Sequence, residues 1–270
     1  MMEALMAGLF GLLIGSFLNV CIYRLPRDLS VVHPRSHCPF CSHPISWYEN
    51  VPLLSYFLLG RKCRSCGTPI SLRYPLVELI TGLLFFWSIY THGWNLEGLK
   101  LCVFSAIMVD LIFTDLADRI LPDEFTLGGA FVGVVLAAFT LQPSSISRLV
   151  LPPTLPVWIH SVTESVLGGL ITAGLLYFTG YLYLRIRKRE GLGLGDVKML
   201  LTVGAFLGLP GGLLTVFVGS VLGAIGGGLY IWLSKEDSTY ELPFGSFLGL
   251  AAILLGVFGD QISRWYWSVS

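Results

Sequence analysis

Residues 4–24 run ALMAGLFGLLIGSFLNVCIYR, and the turn Leu25-Pro26-Arg27 follows directly. No charge interrupts the stretch before Arg24. A bilayer-spanning helix needs about 20 mostly apolar residues, so this segment reads as a transmembrane helix. It has no basic stretch ahead of it and no small-residue cleavage site before its basic flank, so it reads as a retained first helix and not as a cleaved signal. The rest of the chain matches. Its 270 residues are 54% hydrophobic and 13% charged, with a mean hydropathy of +0.74, where a soluble domain is about 25% charged. Seventeen basic and seventeen acidic residues cancel, which leaves no global field to draw nucleic acid.

Seven further apolar runs follow, at 75–91, 99–114, 124–141, 162–184, 197–209, 211–233 and 244–262. The sixth helix of this set is short, and only the turn Gly208-Leu209-Pro210-Gly211-Gly212 parts it from the seventh, so seven helices or one long hairpin stay open. The expected fold is an all-α polytopic membrane protein of about eight transmembrane helices. It divides into a first helix over 1–24, a loop domain over 25–74 and a multi-helix membrane domain over 75–270. Lys and Arg mark cytoplasmic loops. Seven lie in 24–74 (Arg24, Arg27, Arg35, Arg61, Lys62, Arg64, Arg73) and four in 185–189, against none in 92–98 and Arg148 alone in 142–161. Eight helices put both basic segments on one face, expected to be cytoplasmic.

The loop carries Cys38-x-x-Cys41 and Cys63-x-x-Cys66. Two such knuckles supply four thiolates to one tetrahedral ion, read here as zinc, although iron fits four thiolates equally well in form. A cytoplasmic setting disfavours disulfides. Four protein ligands leave no open position, so one zinc per chain would organise a zinc-ribbon-like loop and would not activate water. His33, His37 and His43 read as loop residues, and Cys21 and Cys102 as small buried apolar residues within helices.

Carboxylates inside membrane helices are functional candidates by default. Glu78, Asp110 and Glu164 are of this kind, with Glu78 and Glu164 near helix ends where interfacial water is within reach. Asp115 closes the third helix, and Asp196 opens the sixth within Gly191-Leu192-Gly193-Leu194-Gly195-Asp196. On this topology both lie at cytoplasmic helix ends. Two acids brought within a few ångströms share a proton, and such a dyad can activate water and then protonate a leaving amine. The alternative is that each caps a helix end. Asp118 and Asp123 read as solvated or capping residues. The glycines before Asp196 follow no strand, so they read as room for a substrate backbone and not as a phosphate loop.

Several motifs occur in one order along the chain: Gly15-Ser16-Phe17-Leu18-Asn19-Val20 with Arg24-Leu25-Pro26, the four-cysteine module with Asn50-Val51-Pro52, and Arg73-Tyr74-Pro75-Leu76-Val77-Glu78-Leu79. Asp115-x6-Pro122-Asp123, Gly193-Leu194-Gly195-Asp196 and Pro243-Phe244-Gly245 complete the set. In these the chain resembles the bacterial prepilin peptidases, bifunctional leader peptidase/N-methyltransferases of the GxGD membrane aspartic protease type. The resemblance implies a catalytic pair at Asp115 and Asp196. It implies removal of the basic leader from type IV prepilins and type II secretion pseudopilins at a Gly–Phe bond on the cytoplasmic side of the inner membrane. It also implies N-methylation of the new terminus with S-adenosylmethionine, with the zinc module tied to methyl transfer more than to cleavage. Glu78 is the candidate for the methyl-transfer site, because the cysteine loop re-enters the bilayer there; pairing with a basic or hydroxyl neighbour is the structural alternative. Cys21 and Thr114 depart from the family pattern, at positions that carry no chemistry.

Acidic residues on the cytoplasmic face (Asp118, Asp123, Glu124, Glu236, Asp237, Glu241) offer attraction to a basic leader, or are loop charges. Two rival readings stand beside the enzyme. One is an ion- or proton-coupled transporter using intramembrane carboxylates, for which no internal repeat between the halves is evident. The other is a zinc-stabilised membrane adaptor working through 25–74.

Overall fold

The computed structural model describes residues 1–142, 145–188, 192–234 and 243–269. The helices follow the apolar runs, and their ends follow the turn residues. Helix α1 spans Met2–Arg24 and gives way at Pro26 to a short 3₁₀ turn, Leu25–Arg27, closed by Asp28 in the left-handed region. Inside the loop lie a second 3₁₀ turn, Trp47–Glu49, and the five-residue α2, Leu54–Leu58. Helix α3 covers Arg73–His92, and α4 covers Leu96–Asp118. Asn95 caps α4, accepting the Gly98 amide at 2.9 Å, as an N-cap side chain does for an orphan first-turn donor.

Beyond it come α5 (Asp123–Ala137) behind Pro122, the single turn α6 (Ser147–Val150), α7 (Val157–Arg187) behind Pro156, α8 (Leu194–Ser234) and α9 (Phe244–Val269). The described residues hold no strand, only two isolated bridges, His37–Pro44 and Lys62–Pro69. Each apolar run found in the sequence overlaps one of these helices, that at 124–141 outlasting α5 by four residues, and the fold class is the all-α membrane type expected. Among the described residues, four helical spans are long and apolar enough to cross a bilayer: Met2–Arg27, Arg73–His92, Val157–Arg187 and Leu194–Tyr230. Phe244–Gly259 is apolar but shorter. Helix α4 carries Glu97, Lys100, Asp110, Asp115 and Asp118, and α5 is 15 residues long.

The expected sixth and seventh helices are the two segments of α8, parted by a kink. At Gly208 the backbone turns to φ 69, ψ −176 inside α8, a conformation open to glycine and costly for other residues. The break frees backbone groups that apolar surroundings cannot satisfy, and side chains supply the partners. Gln142 Nε2 donates to the carbonyls of Ala205 (3.2 Å) and Phe206 (3.0 Å), and Ser165 Oγ donates to Ala205 (2.7 Å). On the other side, the Leu209 amide donates to Glu164 Oε1 at 3.4 Å. The same carboxylate accepts the amides of Ser145 and Ser147, each at 3.0 Å, and the Ser145 hydroxyl at 2.5 Å. Glu164 is therefore wholly buried and does not reach interfacial water as its place near a helix end suggested. It ties the start of α6 to the break in α8.

The chain forms two compact units, Met1–Phe113 and Thr114–Ser270. The division falls inside α4, and α3 packs along α1 in the first unit. Ala4, Ala7, Phe85, Ile89 and Cys102 form the apolar centre of that contact. In the second unit α8 packs against α5, α7 and α9.

Candidate active site and metal centre

Asp115 sits in the last turn of α4 and Asp196 in the first turn of α8. Both are buried, at 5% and 8% exposure, and both line one pocket of about 300 Å³ together with Arg119, Leu121, Gly193 and Lys198. Gly245, at the start of α9, lies against the two of them. A Cβ built on it would stand 3.1 Å from Asp115 Oδ2 and 3.1 Å from Asp196 Oδ1, so these oxygens are no further apart than the sum of those distances. The missing side chain is what leaves space beside the acids.

Asp115 is held in place from α9. Its Oδ2 accepts the Ser246 amide at 2.6 Å and the Ser246 hydroxyl at 2.8 Å. Gly193 lies close by, where a Cβ built on it would stand 3.3 Å from Asp196 Oδ2. Arg119, the residue after α4, adopts the left-handed conformation (φ 55) and donates its amide to the Asp115 carbonyl at 3.0 Å. A pair of buried acids with adjacent open volume has the parts needed to take a proton from one group and give one to another.

The neighbouring acids divide. Asp123 is exposed and ion-paired with Lys198 at 2.6 Å, so its charge is already matched by a cation. Asp118 is half-buried and Glu124 exposed. Glu236, Asp237 and Glu241 lie outside the described residues. Ser246 is the residue that sequence reading missed. Its signal was slight, since it only follows Pro243-Phe244-Gly245.

The four cysteines converge. All four sulfurs lie within 4.8 Å of one another, with Cys38–Cys66 at 3.8 Å and Cys41–Cys63 at 4.0 Å. An ion held about 2.3 Å from each of four thiolates at the corners of a tetrahedron needs sulfur–sulfur edges of about 3.8 Å. The donor set and its spacing thus fit a four-thiolate metal. No histidine joins the cluster; His37 Nδ1 pairs with the Arg35 carbonyl at 3.0 Å.

The knuckles are copies of one another. Cys38 donates its amide to the His43 carbonyl, Ser42 to Cys38 and Ile45 to Ser36; Cys63 donates to Thr68, Gly67 to Cys63 and Ile70 to Arg61. Ser42 and Gly67 both take positive φ, 56 and 72. The repeat is legible in the sequence as Cys-x-x-Cys-x-x-Pro-Ile-Ser at 38–46 and again at 63–71, and sequence reading passed over it. Despite the His43 amide, Cys41 is raised to about 11 by desolvation and the neighbouring thiols. The Thr68 hydroxyl and then its amide draw the Cys66 thiol down to about 6. That favours the thiolate a metal requires.

Glu78 lies in the first unit, far down the chain from the aspartates. It is buried and takes the Leu53 amide on Oε2 at 2.8 Å. It lines a cavity of about 690 Å³ between the cysteine loop and the facing ends of α1 and α3. Asp110 is buried within α4, as Cys21 is within α1 and Cys102 within α4.

Apolar helices of bilayer length, a two-acid pocket and four clustered thiols define an α-helical integral membrane protein with a cysteine-cluster loop. Residues 9–92 match the bacterial peptidase A24 N-terminal domain, and residues 102–228 match the type IV leader peptidase family. The chain belongs to the type IV leader peptidase family. A relative from Aeromonas hydrophila, a prepilin leader peptidase/N-methyltransferase, is 34% identical over 96% of this chain and 91% of its own length. One of the same name from Myxococcus xanthus is 38% identical over 87% of this chain and 67% of its own length. A third, from Pseudomonas aeruginosa, is 32% identical over 96% and 91%. No solved structure matches the chain.

Proposed function

We propose that this chain is a membrane aspartic peptidase that removes the basic leader from prepilins and pseudopilins at the cytoplasmic face of the inner membrane, and then N-methylates the exposed terminus. The activity named for its relatives, prepilin leader peptidase/N-methyltransferase, supports cleavage and methylation. The observation that carries the assignment to residues is the single pocket lined by both Asp115 and Asp196.

In this reading the two acids hold one proton between them. As a water oxygen bonds to the scissile carbonyl carbon, the unprotonated carboxylate takes a proton from that water. The protonated acid gives its proton to the carbonyl oxygen, which yields a tetrahedral diol. Collapse of the diol re-forms the carbonyl, breaks the C–N bond and passes a proton to the leaving nitrogen. Ser246 orients Asp115 by its two hydrogen bonds, and Gly245 leaves room for the water and the peptide. The Lys/Arg distribution supports a cytoplasmic opening, where a basic leader would lie.

Cys38, Cys41, Cys63 and Cys66 would hold one zinc ion as a structural centre. S-adenosylmethionine would supply the methyl group, with Glu78 at the methyl-transfer site. The test is purified protein in detergent with a prepilin substrate. Asp115→Asn and Asp196→Asn are each expected to abolish leader removal. If both variants cut at the normal rate, the aspartate assignment is wrong, and the transporter or adaptor readings regain their standing.

A further inference from the structure

The cysteine loop is joined to the bilayer at both of its ends. It leaves α1 after Arg24 and enters α3 at Arg73, and these two helices of bilayer length pack against one another. The loop's own short helix, α2, does not stand clear of them. The Leu53 amide, at the start of α2, donates to Glu78 Oε2 at 2.8 Å. Glu78 is five residues past the start of α3, about 7.5 Å along it at 1.5 Å per residue, with its side chain leaning back toward Arg73. The start of α2 is therefore held beside the first turns of a spanning helix, and not in water above its end.

Helix α2 has two faces. Ser55 and Tyr56 are buried, whereas Leu54, Phe57 and Leu58 are 58%, 65% and 78% exposed. Positions 54, 57 and 58 follow the i, i+3, i+4 spacing that puts side chains on one side of a helix. Apolar residues exposed singly need no explanation, but three large ones sharing a face do. Gly60 and Arg61, at φ 61 and 63, turn the chain where the helix ends, and the Arg61 amide donates back to the Tyr56 carbonyl at 3.0 Å. Exposed Arg61 and Lys62 thus follow directly on the apolar face. Residues 25–72 hold five basic side chains against two acidic ones, and Glu49, one of the two acids, is paired with Arg64 at 3.2 Å. The positive charge at 61–62 is left for an anion outside the loop.

An interfacial helix buries its apolar side about 5–10 Å into the boundary between headgroups and acyl chains, while nearby Lys and Arg meet anionic headgroups. We propose that α2 lies in the membrane surface at the Arg24 and Arg73 ends of α1 and α3, with Leu54, Phe57 and Leu58 in lipid and Arg61 and Lys62 on anionic headgroups. The occupant of this face is the bilayer itself. The loop is then anchored at three places, its two helix joins and α2.

The test is photolabelling of the full chain, a single copy per nanodisc, in phosphatidylcholine mixed with phosphatidylglycerol. A trace of phospholipid carries a diazirine near the glycerol end of its acyl chain, and peptide mapping locates the label. In the wild type the label should fall on residues 53–59 as well as on α1 and α3. Label on α1 and α3 with none on 53–59 would overturn the proposal. Leu58→Ser, at an exposed position, should cut the label on 53–59 at least about tenfold, the loss of one large apolar side chain from lipid, and leave α1 and α3 labelled as before. Unchanged label on 53–59 would show that the apolar face is not what meets the bilayer. Arg61→Gln with Lys62→Gln should lower that label about fivefold per cation in the mixed discs and leave it level in pure phosphatidylcholine; an equal drop in both would overturn the headgroup contact. Hydrogen exchange over residues 54–58 should already be slow with a single copy in the disc. Slowing that appears only when two copies share a disc would make this face a contact between copies and not with lipid.

Discussion

One hydrogen atom in place of a methyl group sets the working volume between the two aspartates. A Cβ on Gly245 would press on both carboxylates at 3.1 Å, and displacements of about 1 Å in a reacting constellation can cost about a hundredfold. Gly245→Ala is therefore expected to lower the turnover of prepilin cleavage at least about tenfold, while thermal unfolding in detergent shifts little, by about 1 kcal/mol. Unchanged turnover would show that the space beside the acids is not used. Ser246 gives a graded counterpart. Ser246→Ala removes the hydroxyl bond to Asp115 and keeps the amide bond. A hydrogen bond to a charged group is worth about 1.5–3 kcal/mol, so kcat should fall about tenfold with KM nearly constant.

At the scale of elements, the break in α8 is the feature with the most to lose. Glu164 accepts three backbone amides and one hydroxyl from two separate segments. Glu164→Ala strands these donors in an apolar setting, at about 1–3 kcal/mol for each one left unsatisfied. The variant should unfold at distinctly lower denaturant than the wild type, and Glu164→Gln, which keeps an acceptor, should fall between them. Gly208→Ala imposes a left-handed conformation on a residue with a Cβ, a cost of about 1–2 kcal/mol. It also brings that Cβ within 3.2 Å of Glu164 Cγ. Equal stability of all four proteins would mean that the break is carried by packing alone. The helices themselves were legible because hydropathy acts over adjacent residues. The polar plug was not, since it joins Gln142, Glu164, Ser165 and the 205–209 backbone across long gaps in the chain.

For the whole molecule the decisive quantities are metal content and sidedness. Elemental analysis of the purified protein should return one zinc per chain, and Cys63→Ser should lose it. Hydrogen exchange in that variant should rise over residues 36–71 and stay level over 114–234, in keeping with two compact units. A rise over both would make the cysteine module a requirement of the entire fold. Periplasmic reporter fusions near Arg148 should be active and those near Lys62 inactive if the Lys/Arg bias sets orientation; the reverse pattern would turn the proposed active site to the wrong compartment.

The amino-acid order alone determined where the helices run, which four sulfurs act together and which acids were worth watching. Each of those depends on composition or spacing within a few turns of chain, as in Cys38-x-x-Cys41 or the uncharged run before Arg24. Only the packing of α9 against α8 put Gly245 and Ser246 beside the acids, and only the fold of the first unit left Asn19 Oδ1 and Arg73 Nε buried without a hydrogen-bond partner. Burial and the long-range partners are set by residues distant in sequence. No local pattern carries that information until the helices are packed.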